Sequence, residues 1–93
     1  MILALIRCEL FIYEAQSLKD KRSVVKSVVT KIRQRCNVSI AETSFQDIWQ
    51  RTELTCCAVG SSRKSVEAEL VRALSLIDQA TDAERTITDW EWI

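Results

Sequence analysis

The chain has no histidine, no proline and a single glycine, Gly60. Without histidine it lacks the side chain that most often moves protons near neutral pH, and also the commonest metal ligand. Without proline and almost without glycine, nothing in its 93 residues reads as a linker or a disordered tail. No apolar run approaches the roughly 20 residues that span a bilayer. The opening stretch MILALIRCELFIYEA is apolar, but it alternates and has no basic leader. It is therefore expected to be a strand and not a signal peptide, in a protein with no membrane partner. The four cysteines, Cys8, Cys36, Cys56 and Cys57, follow no zinc spacing. Cys56 and Cys57 would point to opposite faces of a strand. The expectation is four reduced thiols, largely buried, in a cytoplasmic chain with no metal and no cofactor.

The chain does hold one strongly basic segment, SLKDKRSVVKSVVTKIRQR, from Ser17 to Arg35. Lys19, Lys21, Arg22, Lys26, Lys31, Arg33 and Arg35 stand against Asp20 alone, a local charge of seven minus one, or +6. Because the formal net charge is zero, the remaining residues sum to −6. Such asymmetry points to an anionic partner.

The apolar pattern gives the elements. Ile2, Ala4, Ile6, Cys8, Leu10 and Ile12 alternate along residues 2–12, as in a half-buried strand. Ser17 and Asp20 resemble a capping box. Leu18, Val25, Val28, Val29, Ile32 and Cys36 recur at helical spacing, which places the basic side chains on the solvent side. Strands are predicted over 38–43, 53–59 and 85–92. A second helix over 62–80 would be capped by the serines after Gly60, with Val66, Leu70, Ala73, Leu74, Ile77 and Ala80 as its stripe. The order βαββαβ in a single domain, 1–93, predicts a ferredoxin-like two-layer α+β sandwich. Its antiparallel sheet has the order 4-1-3-2, with both helices on one face.

Four strings carry a resemblance to a known family: SLKDKR opening the first helix, NVSIAE at 37–42, QDIWQR at 46–51 and the terminal TDWEW. Together they resemble the bacterial YlxP-like family over nearly the whole chain. The resemblance implies the same ferredoxin-like fold and no particular biochemical activity. Genes of that family often lie among those for translation initiation and ribosome maturation, which associates it with RNA and ribosomes. Many of its members have His-Gln-Asp in the middle motif; here the first of these positions is Phe45.

The sequence offers little support for catalysis. There is no nucleophile motif, and GSSRKS at 60–65 reads as a helix cap. The chain is expected to be a non-enzymatic RNA- or ribosome-associated accessory domain. Lys19, Lys21, Arg22, Lys26, Arg33 and Arg51 would meet phosphates. Gln46, Asp47, Trp49 and Gln50 are a candidate loop contact, because a loop tryptophan can stack on a base. The expectation for Trp49 itself is structural: that it folds inward and plugs the open end of the core. The third strand, ELTCCAVG, lacks the aromatics of a base-stacking sheet. The alternative is a homodimeric interaction module, using the edge strand 38–43 or the open sheet face through Leu3, Leu5 and Phe11. On the last strand, Asp89 and Glu91 are expected to face Arg7 on the solvent side, sending Trp90 and Trp92 toward the helices.

Overall fold

A computed structural model describes residues 1–93. The elements are β1 (Ile2–Phe11), α1 (Leu18–Arg35), β2 (Ser39–Ser44), β3 (Arg51–Gly60), α2 (Arg63–Asp78) and β4 (Glu84–Trp92). The four strands form one antiparallel sheet in the order β2-β3-β1-β4, the expected 4-1-3-2 read from its other edge. Both helices cover the same face. The fold is the ferredoxin-like βαββαβ sandwich.

Alternation decides which side chains meet the helices. Ala4, Ile6, Cys8 and Leu10 of β1 lie beside Ala58, Cys56, Leu54 and Thr52 of β3, all buried. Ile40 extends this face onto β2. Val28 and Ile32 of α1, and Val66, Leu70, Ala73, Leu76 and Ile77 of α2, close over it. Each valine, leucine or isoleucine among them, taken from water, stabilises the fold by about 1.5–3 kcal/mol. Trp90 and Trp92 pair with Ile6 and Ala4, so they lie on the helix side as expected. They stack on each other with ring centroids 6.2 Å apart, and the Arg63 guanidinium covers Trp92 at 3.9 Å. On the open face Arg7 reaches Glu91 at 3.5 Å.

Local chemistry sets the helix starts. The Ser17 hydroxyl accepts from the Asp20 amide at 3.1 Å, and the Asp20 carboxylate reaches past the cap to the Gln16 amide at 3.0 Å. Ser62 caps α2 in the same way, through the Ser65 amide at 3.2 Å. The last residue pair of β1 and β4 continues beyond the strand, with the Ile93 amide donating to the Leu3 carbonyl at 2.9 Å.

Element ends differ from expectation by one or two residues, β2 running over Ser39–Ser44, α2 over Arg63–Asp78 and β4 over Glu84–Trp92. The strand expected over 53–59 begins two residues earlier and reaches Gly60, because Arg51 and Thr52 pair with Phe11 and Leu10. The pairing of β2 with β3 shifts register between Glu42 and Ser44. That bulge precedes Phe45, whose φ of 62° turns the chain into the loop that leads to β3.

Candidate functional site

One expected phosphate contact is not on the surface. Lys21 is 1% exposed. Its place in the helix explains why: Leu18, Lys21, Val25, Val28 and Ile32 recur at steps of three and four, so Lys21 occupies the buried stripe itself. Its ammonium group lies 3.0 Å from Glu42 Oε2 and donates to the Phe45 carbonyl at 2.5 Å. The Thr52 hydroxyl also donates to Glu42 Oε2, at 2.5 Å. These groups close the end of the core beside the loop, and no buried side-chain nitrogen or oxygen is left without a partner. An unpaired ammonium group could not be held there, since burial of a lone charge is prohibitive.

Arg51 is also committed within the fold. Its guanidinium is ion-paired with Glu9 and stacks over Phe45 at 4.3 Å and Phe11 at 5.8 Å. Phe45 is thus held from both sides, its carbonyl by Lys21 and its ring by Arg51. The same carbonyl accepts the Ile48 amide at 3.1 Å, closing a turn over Phe45–Ile48. The far end of the loop is tied to the segment before α1. Ile12 donates its amide to the Gln50 carbonyl at 2.9 Å, and the Gln50 side chain donates to the Tyr13 carbonyl at 2.9 Å. Between these ties Gln46, Asp47, Ile48 and Trp49 are exposed. Trp49 is 51% exposed and does not plug the core, whose end is closed instead by Lys21, Glu42 and Thr52.

The other basic residues of α1 lie where expected. Lys19, Arg22, Lys26, Lys31, Arg33 and Arg35 are all exposed, and none has a carboxylate within ion-pair distance. Lys19, Arg22, Lys26 and Arg33 recur at steps of three, four and seven, and so share one side of the helix. The Arg33 guanidinium donates to the Ile40 carbonyl at 3.2 Å, which places that side over the sheet edge at β2.

The thiols are quiet. Burial pushes the Cys8 thiol up to about 11 and the Cys56 thiol up to about 12. Cys36 is raised by burial and then by Glu69. Tyr13 is raised because its hydroxyl donates to the Glu84 carboxylate. No three Cys, Asp or Glu side chains gather as a metal site would need. No helix is long and apolar enough to cross a membrane.

Sequence reasoning missed Glu42, Thr52 and the structural role of Phe45. A signal was present for the first two. Glu42 falls on the Val38–Ile40 alternation, and Thr52 on the Leu54–Cys56–Ala58 alternation. With Lys21, that makes one polar residue on the core face of each of three elements, the mark of an internal network. The exposed ring of Trp49 had no such signal.

Among solved structures, the chain resembles a de novo designed protein, Foldit4, with a TM-score of 0.56 at 11% identity, over 98% of this chain and 96% of that one. It also resembles a dimeric ferredoxin-like protein from an uncultured marine organism, with a TM-score of 0.55 at 13% identity, over 100% and 96% of the two chains. At such identities the likeness speaks to the fold alone. In sequence it is 51% identical over 85 residues to the uncharacterized protein YlxP of Bacillus subtilis (strain 168), covering 91% of this chain and 92% of that protein. The family model described as "Protein of unknown function (DUF503)" matches residues 3–90, and the chain therefore belongs to that YlxP-like family.

Proposed function

We propose that this protein is a non-enzymatic accessory domain that binds RNA, alone or on the ribosome, through the phosphates that meet α1. The observation behind this reading is the set of six exposed bases on one helix with no carboxylate partner in the fold. A helix face that only keeps a protein in solution mixes signs and gains i,i+4 pairs. This face has Asp20 as its one acid, and that acid caps the helix. The phosphate-facing set is Lys19, Arg22, Lys26 and Arg33. Lys21 and Arg51 are not part of it, since both are consumed inside the protein. The acids Glu14, Asp82 and Glu84 line a depression between the segment before α1 and the start of β4.

The test is charge reversal. The triple variant Lys19→Glu, Arg22→Glu, Lys26→Glu leaves the core untouched, and is expected to fold as the parent does. Wild type should bind a labelled RNA with an affinity that falls steeply with salt, as counterion release requires. It should also sediment with ribosomal fractions at low salt and leave them at high salt. The triple variant should do neither. Equal binding by wild type and triple variant would reduce α1 to a solvated helix face.

A second reading is favoured by one specific feature. Val59, Leu3 and Ile93 lie side by side across β3, β1 and β4 on the open face, with Val59 57% and Ile93 71% exposed. Leu5 and Cys57 continue the row. A twofold partner laid over this apolar row makes the protein a homodimeric interaction module, and one of its fold neighbours is described as dimeric. Light scattering at high micromolar concentration tests it: a dimer that Leu5→Glu dissolves supports the face, and a monomeric wild type removes the idea.

A further inference from the structure

Three unusual features meet at the loop between β2 and β3. Lys21 is a fully buried lysine in a small domain. Phe45 is a bulky residue held in the left-handed region, at a φ of 62°. Next to them, Ile48 and Trp49 stand exposed with their backbone fixed on both sides. Residues in such conformations persist only where their surroundings over-determine them, and they concentrate at clamps and binding sites. Here the surroundings do so: Lys21 holds the Phe45 carbonyl, Arg51 covers the Phe45 ring, and Gln50 ties the other end of the loop to Tyr13.

We propose that Trp49 is a stacking platform for an unpaired nucleobase, and that Lys21 is the positioning residue that fixes its loop, so that the protein takes single-stranded RNA in preference to duplex. This deepens the phosphate-binding reading of α1 and rests on it. The two surfaces are continuous. Lys21 reaches from the first turns of α1 directly to Phe45, and Lys19 and Arg22 are within one residue or two of it on the exposed side. A strand whose phosphates follow Lys26, Arg22 and Lys19 therefore arrives at the 46–50 loop. The only charge in that loop is Asp47, a carboxylate, which repels phosphate but can accept from a base amino group. Phosphates accordingly belong to the helix and a base to the loop. Every base has a π face, so stacking on Trp49 is tolerant of sequence. Because the backbone on both sides of Trp49 is already fixed, little ordering is lost on binding. A duplex keeps its bases stacked inside and gains nothing from Trp49. Trp90, 38% exposed and stacked on Trp92, is a weaker candidate. Arg63 already covers Trp92, and β4 is the sheet edge opposite β2, away from the stripe.

The experiment measures binding of a labelled 12-nucleotide oligouridylate and a labelled 12-base-pair RNA duplex at one low salt concentration. Wild type should favour the single strand. Trp49→Ala should lose about tenfold to a hundredfold for oligouridylate and nothing for the duplex, and Trp49→Phe should recover most of the loss. Lys21→Met should lose the single-strand preference while keeping duplex binding, a split that general destabilisation would not produce. Should Lys21→Met be too unstable to assay, the Trp49 comparison decides alone. If Trp49→Ala binds oligouridylate as wild type does while the triple charge reversal abolishes binding, the stacking platform is overturned and the phosphate reading stands. An equal loss of both RNAs in Trp49→Ala also overturns it. If wild type binds neither RNA, both readings fall together.

Discussion

Replacing Lys21 by Met should destabilise this domain markedly while leaving its surface unchanged. Met fills nearly the same space, so the loss is electrostatic. The Glu42 carboxylate would keep only the Thr52 hydroxyl, and the Phe45 carbonyl only the Ile48 amide. Breaking a fully buried ion pair by removing one partner costs about 3–5 kcal/mol. The Glu42 side chain is 23% exposed and gains some water, which places this case at about 2–3 kcal/mol. A domain of this size has roughly 5–14 kcal/mol in all, so the variant still folds. Each kcal/mol moves the melting temperature of such a domain by about 4–8 °C, which predicts a fall of about 8–24 °C. Urea unfolding followed by circular dichroism would measure the free energy directly. The double variant Lys21→Met, Glu42→Gln should recover over half the loss, since no charge is then stranded. Lys21→Glu should be worse than Lys21→Met, because it sets two carboxylates together. A Lys21→Met protein with an unchanged urea midpoint and slope would refute the claim that this pair closes the core.

Three further outcomes follow from the same packing. Native protein treated with a disulfide reagent near pH 8 should react quickly at one thiol, the half-buried Cys57, while Cys8 and Cys56 wait for unfolding; two or more fast thiols in the absorbance trace would contradict the burial. Cys8 and Cys56 keep their protons in the folded state up to about 11 and about 12, whereas in the unfolded chain they lose them near the ordinary thiol value of 9.0. Their contribution is therefore complete below pH 9 and falls above it, by about 1.4 kcal/mol per pH unit for each thiol. Urea midpoints taken between pH 8 and 10.5 should drop, and should drop less in a Cys8→Ser variant. Leu54, fully buried between the two central strands and the helices, should cost about 2–5 kcal/mol when cut to Ala, read as a shift in urea midpoint; a shift under about 0.5 kcal/mol would mean that the site collapses freely.

The fold was legible because its signals agree. The alternation of β1 is unbroken from Ile2 to Ile12, both helices carry long stripes, and Ser17 and Ser62 stand where caps belong. The site was only partly legible, for reasons that can be named. Lys21 satisfies the helical spacing of the core, but its charge argues for solvent; spacing prevails because Glu42 and the Phe45 carbonyl wait across the gap. Neither partner is visible locally. Glu42 comes from β2, 21 positions on, ahead of a bulge that no pattern in TSFQD announces. Arg51 reads as a free cation in QDIWQR, and only the pairing of Phe11 with Arg51 brings Glu9 and two aromatic rings around it. Long-range pairing thus decided which cations are available, and sequence could count them but not sort them.

The bond from the Ile93 amide to the Leu3 carbonyl has a mechanical consequence. It puts Leu3 and Ile93 side by side at one end of two antiparallel strands, next to the pair of Ala4 with Trp92. Force applied through these two ends would load the β1–β4 ladder one rung at a time, as a zipper opens, and never shear all its hydrogen bonds together. β4 would peel away at low force, taking Trp90 and Trp92 with it. The three-stranded remainder, in which β1 and β3 stay paired from Ile2 to Phe11, would keep α1 and its bases in place. Attached at both ends to larger bodies pulling apart, the domain would behave as a soft, extensible joint whose basic helix is the last part to let go.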